Sequence, residues 1–293
     1  MKKVLKWIGI VLGSLLVLVG LTAVILSFIG GARMNKTHDI TAEILTIPTD
    51  EATLARGEHL VNVACKDCHG SGLSGQPLLD EDPIGTVYAA NITGLAETHN
   101  DADAVRAIRH AVDTDGRQLF IMPAESFIHF SQEDLGAVVA YLKTIPRAGA
   151  ETPAPELTFL GRTLLGAGLF GNVFPAEYID HDMAFAPMPE IGANIAYGEY
   201  LAAFCTSCHG ANLAGSQPAD PESPPAPNLT PNGRLANWTE EGFLTMMRTG
   251  ITPEGRELQA DFMPYESFGN FTDEELRGLW LYLQSLPPAS ATD

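Results

Sequence analysis

The chain has 293 residues, 36 acidic and 17 basic side chains, and a formal net charge of −19, and that length accommodates two domains of ordinary size. The first 36 residues hold no acid and five of the bases, which leaves 36 acids against 12 bases, a balance of −24, for the remainder. A surface of that sign repels phosphate backbones and so sets nucleic acid aside as a partner; it either steers a basic protein into encounter or simply keeps the chain soluble.

Taken in chain order, the first element is the uncharged apolar run Trp7 to Ile29, preceded by Lys2, Lys3 and Lys6. As a helix it reaches about 35 Å, enough to cross a hydrocarbon core with some tilt. A cleaved signal has an apolar region of only about 7 to 15 residues, so the length favours a retained single-pass anchor. Gly30-Gly31-Ala32, however, offers small residues at which a signal peptidase can cut.

Helices are predicted over about 53–65 and about 101–112. Ser131 with Asp134 then opens another helix, which carries Leu135, Val138, Val139 and Leu142 at helical spacing and stops at Pro146. Residues 147–193 form a connector with Pro153 and Pro155 at its start and Pro187 and Pro189 near its end. Its apolar run from Leu157 to Phe170 contains Arg162 and is too short to span a membrane, so a segment covering the neighbouring units is expected. Beyond it, helices are predicted over about 194–205 and 240–249, and a last one starts at Thr272 with Glu275 and stops at Pro287. The expected fold is all-α, with an anchor at 1–36 and helical domains at 37–146 and 194–293 flanking the connector.

The two domains repeat each other at an offset near 140. Gly57-Glu58-His59-Leu60 matches Gly198-Glu199-Tyr200-Leu201, Gly75-Gln76-Pro77 matches Ser216-Gln217-Pro218, and Asn91-Ile92-Thr93 matches Asn228-Leu229-Thr230. Met122-Pro123-Ala124-Glu125-Ser126-Phe127 answers Met263-Pro264-Tyr265-Glu266-Ser267-Phe268. Gly57 and Gly198 are expected to let the terminal helix of each copy cross the first helix closely.

All four cysteines fall in this repeat, as Cys65-Lys66-Asp67-Cys68-His69 and Cys205-Thr206-Ser207-Cys208-His209. Two thiols three positions apart reach the two vinyl groups of one porphyrin, and the adjacent histidine comes under the iron, so the motifs predict two covalently bound haem c groups. Zinc asks for converging ligand pairs and has no use for a histidine directly after the second cysteine, twice; a dithiol motif wants a βαβ context that is missing here. Because c-type maturation occurs outside the bacterial inner membrane, the haem domains are expected on the periplasmic face.

Iron of this kind takes a second axial ligand, and Met122 and Met263 are the candidates. They lie 53 and 54 residues after His69 and His209, and proline follows each, holding it in an extended loop. Met246 and Met247 fail the repeat test, since Ala107 and Ile108 hold their places, and are read as core. His59, His99, His110, His129 and His181 are unmatched and are read as ordinary hydrogen-bonding or exposed residues. Arg109, Arg117, Arg248 and Arg256 are read either as partners of haem propionates or as surface residues.

From about residue 54 onward the chain resembles tandem class I cytochromes c, and Ala226-Pro227-Asn228-Leu229 is similar to a Pro-Asn-Leu loop of that family. The resemblance implies that the carbonyl of Pro227 accepts a hydrogen bond from His209; Ala90 stands at the matching place in copy one. It also implies that Trp238 lies near a propionate. With iron held by His69 and Met122, and by His209 and Met263, no position is open to substrate, and the expected activity is electron transfer rather than catalysis. Expected partners are a dehydrogenase or quinol-oxidising complex as donor and a soluble cytochrome or terminal oxidase as acceptor. The chain looks similar to cytochrome subunits of bacterial alcohol, aldehyde and gluconate dehydrogenases, although those commonly carry three haem motifs and a C-terminal anchor. The competing reading is a dihaem peroxidase or thiosulfate-oxidising cytochrome, which predicts asymmetry between the copies.

Overall fold

A computed structural model describes residues 2–217 and 223–289; of the matched repeat positions, Pro218 lies outside them. Helix α1 (Lys2–Met34) is followed by an extended segment and by α2 (Glu51–Ala64) and α3 (Lys66–His69). Strands β1 (Gln76–Glu81) and β2 (Gly85–Ala89) come next, then α4 (Leu95–Thr98), α5 (Asp101–His110), α6 (Ala124–Phe127) and α7 (Gln132–Thr144). The connecting stretch holds β3 (Glu156–Leu157) and α8 (Phe159–Gly166). The second unit consists of α9 (Ile195–His209), α10 (Glu240–Thr249), α11 (Tyr265–Phe268) and α12 (Asp273–Ser285).

After α1, each helix of eight residues or more starts on a side-chain cap that satisfies an orphan amide: Asp50, Asn100, Ser131, Thr158, Asn194, Thr239 and Thr272 all accept from the backbone N–H three residues on. Thr272 and Glu275 form a complete capping box. Ser131 caps α7 in the same way, but the Asp134 carboxylate turns to Arg56 and Tyr200 instead of reaching back.

The expectation of an all-helical chain needs one amendment. Strands β1, β2 and β3 form a small antiparallel sheet in that order, with a bulge between Pro77 and Leu79. Val87 on its buried face packs with Leu157, Leu165 and Phe174 of the connector. The sheet therefore joins the connector to the first unit, which agrees with a covering role for that segment.

In each unit the first and last helices cross at a glycine. A Cβ on Gly57 would overlap the Ala137 carbonyl oxygen of α7, and one on Gly198 would overlap that of Gly278 on α12. Around the crossings lie two apolar cores. One contains Leu60, Val61, Leu135, Val138 and Val139, and the other Tyr197, Leu201, Leu276, Leu279 and Leu283. Gly57→Ala or Gly198→Ala is expected to destabilise the protein by about 1 to 3 kcal/mol, as overpacked cores do, read as a lowered unfolding temperature. An unchanged transition would show that the helices can separate without loss.

Candidate functional site

Helix α2 ends as the first Cys-x-x-Cys-His begins: Cys65 is its C-cap, its N–H donating to the Val61 carbonyl at 3.0 Å, and the short α3 carries the rest of the motif. In the second unit α9 runs unbroken through the motif to His209. Helical spacing puts the two sulfurs of each motif on one face, with the histidine next in line.

The chain then turns back under each histidine in the same way. Gly70 and Gly210 sit at φ 81° and 78°, and Gly75 and Gly215 at φ 84° and 95°, the left-handed region that favours glycine. The Gly75 and Gly215 amides donate to the His69 and His209 carbonyls, both at 2.9 Å. Asn91 and Asn228 make Asx turns, accepting from Thr93 N at 3.0 Å and Thr230 N at 2.8 Å. Their amide groups tie the loops to the chain beyond the last helices, at Ala148 and Ala150 in one unit and at Ala289 in the other.

Those loops aim a carbonyl at each imidazole. His69 Nδ1 donates to the Ala90 carbonyl at 2.7 Å, and His209 Nδ1 donates to the Pro227 carbonyl at 2.8 Å. With Nδ1 as donor, Nε2 carries the lone pair, the arrangement a metal-bound histidine requires. Burial lowers the pKa of both rings, against the opposing effect of the carbonyl bond, and so favours the neutral form.

The donor set fits haem better than a protein-only metal site. All four cysteines are free, and burial pushes the Cys65 and Cys205 thiols up to about 12, with their motif partners adding to it. Zinc ligation and thiol exchange both call for thiolates. Among the described residues, no three His, Cys, Asp or Glu side chains converge as a metal site. Two thiols on one helical face beside an oriented Nε2 suit a porphyrin that brings four nitrogens of its own.

Met122 and Met263 are half-buried, and each packs against the same apolar core as the first cysteine of its unit, Cys65 or Cys205. The prolines that follow have nearly equal angles, φ −79° and ψ 60° at Pro123 and φ −74° and ψ 58° at Pro264. Ile121, a β-branched residue at φ 61°, is held in that strained conformation by its N–H, which donates to the Val173 carbonyl at 2.8 Å. Met246 and Met247 lie in the second core.

Two arginines have a role that the sequence did not disclose. Arg109 is fully buried and donates to the Ile128 carbonyl at 2.7 Å and to Glu43 at 2.9 Å, with its guanidinium 3.9 Å above the Phe185 ring. Arg248 donates to the Gly269 carbonyl and, at 2.9 Å, to Asp273. Ile128 and Gly269 are the residues that close α6 and α11, so both arginines fasten the methionine-proline segment of their unit. Arg117 and Arg256 are exposed. The Trp238 indole N–H donates to Glu254 at 2.7 Å. Of the unmatched histidines, His59 bonds Glu275, His99 bonds Thr98, and His110 bonds both His181 and Glu43.

The two units meet along α2 and α9, with α6 of the first against α9 and α11 of the second against α2. Phe204, the residue before Cys205, meets Phe127 and Phe130 of the first unit edge-on at centroid distances of 6.2 and 5.5 Å. Beside these rings lies a polar seam. Arg56 donates to Asp134 at 2.8 Å and to Glu275 at 3.0 Å, while Tyr200 donates to Asp134 at 2.8 Å and Tyr197 to Glu275 at 2.9 Å. Burial, followed by the Glu266 and Asp261 charges of the second unit, pushes the Asp67 carboxyl upward. The first Cys-x-x-Cys-His thus lies close to the methionine loop of the other unit.

Comparison with known proteins agrees with this division. Residues 195–287 match the family described as cytochrome c, and residues 52–142 match the family described as cytochrome c oxidase, cbb3-type, subunit III. The cytochrome c subunit of a quinone alcohol dehydrogenase from Gluconacetobacter polyoxogenes is 26% identical, over 91% of this chain and 61% of its own length. The gluconate 2-dehydrogenase cytochrome c subunit of Pantoea cypripedii is 27% identical, over 83% of this chain and 62% of its own. A dihaem cytochrome c-type protein of Cereibacter sphaeroides is 26% identical, over 92% and 97%. The chain therefore spans about three fifths of the length of the two dehydrogenase subunits.

Proposed function

Because this chain is a dihaem c-type cytochrome with two cytochrome c domains, related to the cytochrome c subunits of quinone-dependent dehydrogenases, we propose that it is a membrane-anchored electron relay on the periplasmic face of the bacterial inner membrane. Electrons enter from a dehydrogenase or quinol-oxidising complex and leave to a soluble cytochrome or terminal oxidase. Each haem c, bound through Cys65 and Cys68 or through Cys205 and Cys208, supplies a one-electron iron couple. The protein's part is to hold that iron between His69 and Met122 in one domain and between His209 and Met263 in the other, so that neither opens to substrate.

The observation that carries this reading is the sameness of the two copies. Both histidines are oriented by a backbone carbonyl, and both methionine segments are held by proline and a matched arginine. A peroxidase or a sulfur-oxidising haem predicts two unlike sites. Methionine ligation raises the potential relative to paired histidines and suits the later part of a respiratory chain. The apolar, unburied α1 acts as the anchor; its last turns are docked on α8, a contact that cleavage at Gly30-Gly31-Ala32 would break.

Stopped-flow mixing of the reduced protein with a basic soluble cytochrome c tests the relay. Transfer is expected to be fast at low salt and to slow about tenfold or more as ionic strength rises, because the acidic surface steers the encounter. Peroxide consumption in place of transfer would overturn the assignment.

A further inference from the structure

Resting on the reading of α1 as an anchor, we propose that α8 and the turn after it lie in the outer boundary of the same bilayer, making a second membrane contact that fixes how the haem domains stand above the lipid. Helix α8 packs along the last turns of α1. A Cβ on Gly30 would overlap the Arg162 carbonyl, and one on Gly166 would overlap that of Leu26. That contact sets α8 beside the end of the apolar span, where Ile25 and Phe28 are 59% and 79% exposed.

The outward side of α8 continues this surface. Phe159 is 50% exposed, Leu160 41% and Leu169 64%, so α8 and the turn after it, packed on α1, present apolar side chains beside the end of the span. Between Leu157 and Gly171 the only charged residue is Arg162, and it turns inward: Nη1 donates to the Leu157 carbonyl at 2.7 Å and Nε to Ser27 Oγ at 3.4 Å. Thr158 donates to the Pro83 carbonyl and Thr163 to that of Phe159. Polar side chains satisfied within the protein are what a lipid-facing segment needs, since hydrocarbon offers them no partners. Exposed Glu156 directly precedes this stretch, and on α1 the next charges, Arg33 and Lys36, pair with Glu177 at 2.6 and 3.4 Å; these charges mark the level at which water begins. Eight residues of helix cover only about 12 Å, so α8 lies in the boundary and does not cross.

Photo-crosslinking of the full-length haem-loaded protein in phosphatidylcholine vesicles tests this, with p-benzoylphenylalanine replacing Leu16, Phe159, Leu169 or Ile251 one at a time. Lipid adducts are expected at 16, 159 and 169 and none at 251, an exposed position on the second haem domain. Adducts at 16 alone would overturn the proposal and leave the anchor standing. Their absence at 16 would overturn the anchor. Crosslinks from 159 or 169 to protein, either a second copy or an added partner, would show that the face is a protein interface.

Discussion

Met122→Ala is expected to abolish the far-red sulfur-to-iron absorption of one haem and leave that of the other intact, and Met263→Ala is expected to do the reverse. The two methionines sit on separate loops, each packed with the core of its own unit and each held by a separate arginine. Removing one sulfur opens one iron and lowers its potential by on the order of a few tenths of a volt, part of the roughly 0.8 V range that axial ligands set. Because Pro123 and Pro264 keep their loop angles without the thioether, the lesion should stay local, with the other haem unchanged in spectrum and potential. Loss of both bands from a single substitution, or of neither, would contradict the assignment of the two side chains. Arg109→Lys separates ligation from loop support: the band should weaken with the methionine still present, because lysine cannot reach both the Ile128 carbonyl and Glu43 with the same fork.

Arg56→Ala should have the largest effect on stability, about 3 to 5 kcal/mol, the cost of breaking a buried ion pair. Asp134 and Glu275 are matched positions of the repeat, each at the N-terminus of a terminal helix, and Arg56 lies between them. Their side chains are only 1% and 3% exposed, so its loss leaves the buried Asp134 carboxylate without a cationic partner and Glu275 with His59 alone. Replacing Arg56, Asp134 and Glu275 together with Met, Leu and Leu should recover part of the loss, since the apolar groups carry no charge to desolvate but leave the Tyr197 and Tyr200 hydroxyls without their acceptors. Urea unfolding of the haem-loaded protein checks both; a triple variant as weak as Arg56→Ala would show that packing, not charge, fails there.

The same seam predicts sensitivity to acid. Burial alone would raise the Glu275 carboxyl, but bonds and charge from His59, with the Thr272 amide and Tyr197, bring it down to about 2, below its ordinary 4.5. A lowered carboxyl pKa stabilises the fold fully above the unfolded value and loses that contribution as pH falls from about 4.5 toward 2. Acid unfolding should therefore begin in that window, and Glu275→Gln should flatten it.

Much of the site was legible because its chemistry depends on spacing. Cys-x-x-Cys-His, the methionine-proline pair and the crossing glycines are local patterns, and the repeat reads each of them twice. The seam was hidden by the same test. His59, which stands opposite Tyr200, reads as an unmatched ordinary histidine, and Arg56, opposite Tyr197, falls outside the matched motifs altogether, although two pseudo-symmetric surfaces need unlike residues to complement each other. Arg109 was equally opaque: its sequence neighbours do not indicate whether a cation at a helix end meets solvent, a propionate or a buried carbonyl. The β1–β2 hairpin escaped because its strands are short and fill a stretch of copy one between two matched motifs. Asn91 and Asn228 carried a usable signal, since Asn-x-Thr is the composition of an Asx turn.

The central claim is that both irons are closed by histidine and methionine and serve only to pass electrons. Near-infrared magnetic circular dichroism of the oxidised full-length protein, followed by carbon monoxide addition after reduction, tests it most directly. Two low-spin haems with the methionine signature at equal intensity, and no carbon monoxide complex, are the predicted result. A high-spin fraction, or one haem that takes up carbon monoxide readily, would contradict it.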